Sequence, residues 1–425
     1  MYWNPWLVIL LLLSTVIDYF CSLAIEAHAG HRKKQRKYLA ISIFMNLGLL
    51  FSFKYLDFFG ETVSFLCSLA GLSYRMPVFD LILPVGISFY TFQTMSYTFD
   101  VYRGKIRAER HFGHYALFVT FFPQLVAGPI ERPGDLLPQL KESHPFRQED
   151  LWEGFRLLLR GYAKKVLIAD FLAAFVDQAY DQVGSQDGSA LALATVFFAL
   201  QIYCDFSGYS DIAQGCARLM GIGLSDNFRR PYGASSIREF WRRWHISLTG
   251  WFTDYLYIPL GGSRVGKWRT YVNILITFLV SGLWHGANWT FVIWGGLHGL
   301  YLVLERLFCT KRPLGRILTF AAVCFAWIFF RAATVADAFT VISRIFSPWH
   351  LQSLLSGLGM TGSELLTALA LTAMLPFVDR LPPLTQDRHQ SRRGYLYFLL
   401  ILAILFCRFL TLTQHGETAF IYFQF

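Results

Sequence analysis

Residues 277–295, TFLVSGLWHGANWTFVIWG, form an apolar stretch with no Asp, Glu, Lys or Arg and a single histidine, His285. An imidazole at bilayer depth must be solvated by protein or by a water-filled cavity, so a histidine in such a stretch is a functional-site candidate by default. The competing reading is a packing histidine bonded to a backbone carbonyl; the cost of an ionisable group in hydrocarbon favours function. Desolvation keeps the ring neutral and available as a general base near neutral pH. Gly282 and Gly286 beside it let backbones approach closely. Asn288, His298 and Glu305 follow, and either orient the base or satisfy helix contacts.

The rest of the chain has the same character. Of 425 residues, 54% are hydrophobic, 17% aromatic and 16% charged, with a mean hydropathy of +0.40; soluble chains carry about one quarter charged residues. This predicts an all-α polytopic membrane protein with a single transmembrane domain over residues 1–425. The net charge of +10 comes from short basic clusters between apolar runs. Such clusters act as topology signals rather than as one nucleic-acid-binding face. The seven cysteines are scattered without a CxxC pair and read as small core residues, not as metal ligands or disulfides.

Apolar windows of about 20 residues can cross a bilayer as helices. They fall near residues 4–25, 38–58, 78–100, 190–208, 270–285, 289–308, 314–331, 364–379 and 395–413. Shorter apolar pieces near 61–71, 113–130 and 152–180 read as tilted, re-entrant or interfacial, so the expected number of crossings is roughly nine to twelve. The first window has no basic segment ahead of it and further spans behind it, so it is expected to stay as a transmembrane helix rather than a cleaved signal peptide.

Loop charge orients these spans. HRKKQRK (31–37) holds five basic residues and no acid, and DRLPPLTQDRHQSRRG (379–394) holds four arginines against two aspartates. Both read as cytoplasmic, which puts the N- and C-termini outside. The clusters at 229–245 and 311–316 read the same way, leaving the tract between Arg331 and Leu365 outside. FPQLVAGPIERP (122–133) and ILPVGISFY (82–90) contain prolines and glycines that break a regular helix. Non-helical backbone at membrane depth survives only inside protein or along a cavity, so these segments are expected to line an internal chamber. Asp100 and Arg103 in TFDVYRG read as a loop-end pair.

Between Asp226 and Arg269, eight Lys and Arg residues face three acids. Ser236 and Glu239 have capping-box spacing, and Phe240, Trp241, Trp244 and Leu248 then recur at helical spacing, with Arg238, Arg242 and Arg243 on other faces. This predicts an amphipathic helix at the cytoplasmic interface, with His245 near its end. Its arginines serve either as an anchor for anionic lipid or as a cradle for the phosphates of a donor such as coenzyme A. His245 reads as a hydrogen-bonded interfacial residue or as a catalyst. Asp205 and Asp211 flank FSGYS in an apolar helix, and read equally as functional carboxylates or as partners of a helix end or an arginine. There is no GxSxG elbow, Walker loop, HExxH or dinucleotide fingerprint.

Together, LPVGISFYTFQTMSYTFDVYRG, FPQLVAGPIERP, DFSGYSDIA, DNFRRPY, EFWRRWHISLTGWFTDYLYIPLGG, SGLWHGANWTFVIWGGLHG and the terminal FIYFQF resemble the membrane-bound O-acyltransferase family, in its bacterial alginate O-acetyltransferase branch. The resemblance runs from residue 38 to the C-terminus. WRRWHISL paired with LWHGANW is its most specific part. It implies helices around a central tunnel and transfer of an acetyl group across the bacterial inner membrane. The donor would be a cytoplasmic thioester, acetyl-coenzyme A or another acyl thioester, with no bound cofactor or metal. The acceptor would be an extracytoplasmic polysaccharide, reached through an SGNH or esterase-like acetyltransferase and the polysaccharide machinery.

By the same resemblance the catalytic histidine falls on His285 and the second motif histidine on His245. Trp284, Asn288, Asp205 and Asp211 would line or support the tunnel, and Arg238, Arg242 and Arg243 would hold the donor. The closing motif maps onto Phe420, Tyr422, Phe423 and Phe425, with the Tyr422 hydroxyl taking the acyl group and relaying it outward. Without the resemblance FIYFQF would read as an interfacial aromatic anchor. At 425 residues the chain is short for that branch. Rival readings are O-acetylation of peptidoglycan, D-alanyl transfer to teichoic acid, and a transporter. The last predicts paired halves with matching interrupted segments, and the sequence shows no such symmetry.

Overall fold

The computed structural model describes residues 6–74, 76–79, 81, 83–84, 86–308, 315–381, 393 and 396–404. Among these residues there are helices and no strands, and the chain divides into two compact units, Met1–Ser143 with Thr253–Leu256, and His144–Phe252 with Tyr257–Phe425. The protein is an all-α polytopic membrane protein. Among the described residues four helical runs are long and apolar enough to cross a membrane: Leu7–Ala27, Arg32–Leu69, Gly188–Leu219 and Trp289–Phe308. Leu351–Gly357 and Gly362–Val378, bent by 82° at a short break, make a fifth if counted as one broken span. Helices also cover the predicted window at 270–285, as Lys267–His285, and most of the one at 314–331, as Arg316–Arg331.

The first unit contains α1 (Leu7–Ala27), α2 (Arg32–Leu50), a π turn (Phe51–Tyr55) leading into α3 (Leu56–Leu69), then α4 (Ile87–Tyr102), α5 (Phe112–Thr120), α6 (Phe122–Leu125) and α7 (Pro133–Lys141). A buried polar knot ties α1, α2 and α4 together. Asp18 accepts from the Ser42 hydroxyl at 2.6 Å and the Asn46 amide at 2.7 Å, and Thr94 donates to Asn46 Oδ1 at 3.1 Å. The window predicted from residue 78 becomes helical only at Ile87. Pro84 precedes the start, and Gly86 is left-handed at φ +78°, so close to the Leu125 carbonyl that a side chain would collide. The expected Asp100–Arg103 pair does not form. Asp100 pairs with Lys105 at 3.4 Å, while Arg103 donates to the Asp254 carbonyl at 3.1 Å and stacks over Tyr255.

The second unit begins with α8 (Gln148–Tyr162), whose helix continues through a π turn (Ala163–Ala169) into α9 (Asp170–Tyr180), and then turns back along α10 (Gly188–Leu219). The two arms meet backbone to backbone at glycines. A Cβ on Gly161 would lie 2.6 Å from the Gly208 carbonyl oxygen, and one on Gly215 would lie 3.0 Å from the Gly154 carbonyl oxygen. Small residues permit this close approach, which maximises van der Waals contact between membrane helices. Next come the short α11 (Ile237–Trp241) and α12 (Ile246–Phe252), followed by α13 (Lys267–His285), α14 (Trp289–Phe308), α15 (Arg316–Arg331), α16 (Val335–Ile345), α17 (Leu354–Gly357) and α18 (Gly362–Val378). Thr334 with Asp337, and Thr361 with Glu364, form reciprocal capping boxes at the starts of α16 and α18.

Candidate active site

α13 and α14 form a tight hairpin. Its contact is made by glycines: a Cβ on Gly282 would overlap the Phe291 carbonyl, and one on Gly295 would overlap the Phe278 carbonyl. α13 ends at His285 because Gly286 turns to an extended conformation and Asn288 starts the next helix. Asn288 Oδ1 accepts the Thr290 N–H at 3.0 Å and its amide donates to the Ala333 carbonyl at 2.9 Å. Asn288 is thus a cap and a tie to the end of α15, with no hydrogen bond to His285 among those described. His285 is buried against Trp294 and Phe330, with ring centroids 4.9 and 5.6 Å away, and Trp284 lies 5.0 Å away on the other side.

His245 joins it from a different part of the chain. The helical spacing of Phe240, Trp241, Trp244 and Leu248 does bury all four side chains, but the single amphipathic helix predicted there is broken in two. His245 sits at the break with a left-handed backbone, φ +43°. The break is held by a pairing with residues 226–230. Ile246 N–H donates to the Asn227 carbonyl at 3.0 Å, and Arg229 N–H donates to the Arg243 carbonyl at 2.9 Å. The His245 and His285 ring centroids are 6.4 Å apart. Asn227 Oδ1 lies 3.1 Å from His245 Nδ1 and also accepts from the Ser247 amide and hydroxyl. An amide oxygen only accepts, so Nδ1 carries the proton and Nε2 holds the lone pair in the neutral ring.

A third histidine belongs to the same cluster. His298 on α14 is fully buried, and its Nδ1 accepts the Trp241 indole N–H at 3.3 Å. Indole only donates, so the proton of neutral His298 is on Nε2, the tautomer opposite to that of His245. Trp294 packs between His285 and His298, 4.9 and 5.1 Å from their rings. Sequence reasoning left His298 undecided and passed over Asn227. The available signal for His298 was its i+4 spacing from Trp294 on one helix face.

The remaining candidates fall into separate groups. Ser236 caps α11 by accepting the Glu239 N–H at 3.1 Å, but the Glu239 carboxylate reaches Ser235 instead of completing the box. Hydrogen bonds from the Ser235 N–H and hydroxyl, with Arg243 alongside, hold Glu239 below the usual carboxylate range. Arg238 and Arg242 are exposed, and Arg243 pairs with Glu239. Glu305 accepts the Ile237 and Arg238 N–H groups at the start of α11. Asp205 pairs with Lys165 at 2.6 Å; Asp211 receives Arg160 at 2.8 Å and Lys164 at 3.0 Å; and Lys164 also reaches Asp379 at 2.6 Å. Among the described residues no cluster of His, Cys, Asp and Glu is arranged to hold a metal. Tyr422, with the rest of the closing motif, lies outside the described residues.

Residues 107–336, which include all three histidines and Asn227, match the membrane-bound O-acyltransferase family. The probable alginate O-acetylase AlgI of Pseudomonas aeruginosa is 38% identical over 372 residues, covering 85% of this chain and 71% of that protein. The peptidoglycan O-acetyltransferase of Helicobacter pylori is 36% identical over 376 residues, covering 80% and 70%. The teichoic acid D-alanyltransferase of Streptococcus thermophilus is 30% identical over 243 residues, covering 54% and 58%. A family match over half the chain, two relatives at 36–38% identity covered to 70% or more, and an all-helical membrane fold lead to one conclusion: the chain belongs to the membrane-bound O-acyltransferase family and is a membrane O-acyltransferase.

Proposed function

We propose that this enzyme moves acetyl groups from a cytoplasmic thioester, acetyl-coenzyme A or a carrier-borne equivalent, to an extracytoplasmic polysaccharide, alginate or a similar exopolysaccharide, with His285 as general base. The observation that carries this reading is the burial of His285 at the end of α13, with His245 as its ring neighbour and Trp284, Trp294 and Phe330 excluding water. In the reaction His285 takes the proton of the accepting hydroxyl and the freed oxygen attacks the thioester carbonyl. The C–S bond then breaks, and the departing thiolate recovers the proton from the imidazolium. A tyrosine hydroxyl titrates near pH ~10, so Tyr422 as first acceptor needs such a base. His245, fixed by Asn227, supports the reacting groups, and Trp284 lines the site. Arg238, Arg242 and Arg243 lie on the basic side from which the donor approaches.

In this reading the enzyme sits in the bacterial inner membrane with both termini outside, which the basic segments at 31–37 and 379–394 support. An SGNH or esterase-like acetyltransferase then carries the acetyl group to the polymer. The relatives named for alginate and for peptidoglycan are nearly equal in similarity, 38% and 36%, so assays on both polymers decide between them. His285→Ala is expected to abolish polymer acetylation while the protein still accumulates in the membrane; unchanged acetylation overturns the assignment. Deleting residues 422–425 tests the relay, and undiminished transfer with normal insertion reduces the tail to an anchor.

A further inference from the structure

A cleft of about 420 Å³ in the second unit lies between the end of α9 with the segment leading into α10, and the end of α16 with the segment leading into α17. It is lined by three glutamines (178, 182 and 186), three serines, Asp187, Arg344 and Gly357, with no apolar side chain among them. The two walls are tied to each other. Arg344 donates to the Gly184 carbonyl at 2.8 Å, and Asp187 accepts the His350 N–H at 3.2 Å with the His350 ring Nδ1 3.0 Å away. Gly188 lies so close to the Arg344 carbonyl that a side chain there would collide. The cleft is therefore preformed.

Its polar groups are left open in a particular way. Gln186 is 6% exposed, yet its side-chain amide has no hydrogen-bond partner among the described residues. Buried amides are as a rule paired, so this one calls for a physical reason. Gly357 makes room for it: a Cβ there would lie 2.6 Å from Gln186 Oε1. Gln178 and Gln182 are exposed and bring two more amides. Each serine hydroxyl donates to a nearby carbonyl, Ser185 to Gln182 at 3.0 Å, Ser353 to His350 at 2.7 Å and Ser356 to Ser353 at 3.1 Å, which leaves its oxygen to accept. Asp187 is taken up by Ser189 and His350, whereas Arg344 has no ion pair among the described residues.

Sugar hydroxyls both donate and accept, as amides do, so three amides and three hydroxyl oxygens around one cleft match a ring of such groups. A guanidinium adds a grip for a carboxylate. The volume falls within the range of small-molecule sites, roughly 300–1,000 Å³. An acyl chain or an apolar peptide would meet no complementary surface there. The basic segments at 229–245, after α10, and at 311–316, ahead of α15, read as cytoplasmic, which puts the start of α10 and the end of α15 outside, and the cleft with them.

We propose that this cleft is an extracytoplasmic docking site for the polysaccharide acceptor, taking a hydroxyl-rich, carboxylate-bearing sugar segment, with Gln186 and its neighbouring amides bonding the hydroxyls and Arg344 the carboxylate. The inference rests on the orientation and the acetyl-transfer reading above. It gives the membrane enzyme a hold of its own on the polymer, separate from that of the transferase that modifies it.

The test is titration of the full-length protein in nanodiscs with a uronic-acid oligosaccharide and with the same oligosaccharide after reduction of its carboxyl groups. Wild type should bind both, the acidic form more tightly. Arg344→Gln should weaken the acidic form by roughly 10- to 100-fold and leave the reduced form unchanged. Gln186→Leu should weaken both by roughly 3- to 10-fold. Because Gln186 is buried, Gln178→Ala combined with Gln182→Ala supplies a surface variant that leaves folding intact; it should weaken both forms as well. No binding of either oligosaccharide by wild type, or binding that none of these variants changes, overturns the proposal. Loss of co-purification with the extracytoplasmic transferase in the same variants, with no glycan binding by wild type, would make the cleft a protein interface and also overturn it. Binding to inside-out vesicles and not to spheroplasts overturns its outward placement. Glycan binding that the variants weaken as expected, with no acetyl transfer to any polymer by wild type, supports the cleft and counts against the acetyl-transfer reading.

Discussion

Asn227 and His245 are 18 positions apart in sequence, yet the amide oxygen of one sits 3.1 Å from Nδ1 of the other and decides which imidazole nitrogen carries a proton. Asn227→Leu removes that acceptor and frees the ring to adopt the wrong tautomer. The turnover of acetyl transfer is expected to fall by roughly 100- to 10,000-fold, the range associated with a positioned acid–base group. Asn227→Asp keeps an acceptor oxygen at the same place and should retain far more activity. Steady-state kinetics with each variant checks this; equal losses in both would mean that packing, not tautomer control, is the role of Asn227.

Gly282 and Gly296 lie on the same hairpin with opposite tolerance. A methyl group at Gly282 would run into the Phe291 carbonyl, while one at Gly296 meets only Leu279 at 3.5 Å. Gly282→Ala should destabilise the protein by about 1–3 kcal/mol through overpacking and displace His285, lowering activity. Gly296→Ala should be neutral or slightly stabilising, since alanine favours a helix by about 0.5–1 kcal/mol. Thermal unfolding of the two purified variants in one detergent makes the comparison.

Asp211→Asn leaves the side chains of Arg160 and Lys164 short of a carboxylate inside the second unit, where Lys164 is 3% exposed. Breaking a buried ion pair on one side costs about 3–5 kcal/mol. The expected result is a sharp fall in the amount of folded protein recovered from membranes. A fluorescence-detected size-exclusion profile like that of wild type would refute it.

Glu239 supplies a pH dependence. Its carboxyl is held below the ordinary range by hydrogen bonds from Ser235, with Arg243 nearby. A lowered carboxyl pKa stabilises the fold above the unfolded-state value, about 4.3 for glutamate, and the benefit disappears as pH falls through the folded value. Wild type should therefore lose stability on acidification below about pH 4.3 more steeply than Glu239→Gln, which carries no such carboxyl. Unfolding curves at a series of acidic pH values measure the difference in slope.

The apolar windows were legible because span length and composition act locally, and α1, α14 and α18 fall nearly on their predicted positions. His285 was legible for the same reason: an ionisable group in an uncharged run needs no partner to be conspicuous. What depended on distant partners was not legible. The spacing of Phe240, Trp241, Trp244 and Leu248 continues smoothly through His245, and the break there is held by backbone bonds to Asn227 and Arg229, upstream in the sequence. Asp205 and Asp211 read equally as functional or structural because their cations, Lys165, Lys164 and Arg160, come from another helix. Glu305 read either as orienting the base or as satisfying a helix contact, and the second is what it does; the choice was not legible because the helix end it caps is 68 positions away.

The π turn Ala163–Ala169 has a bearing on how the protein is made. Consecutive residues on a regular α-helix point about 100° apart, yet Lys164 and Lys165 both reach carboxylates of α10, Asp211 and Asp205. The wider turn reconciles the two directions. α10 is a candidate span carrying two aspartates, and its partner arm carries the three matching cations. Released alone into lipid, either arm would expose charge to hydrocarbon at a cost of about 2.5–3.5 kcal/mol or more per group. The two arms are therefore expected to leave the insertion machinery already zipped together, so that biogenesis of this enzyme proceeds by the hairpin and not by the helix.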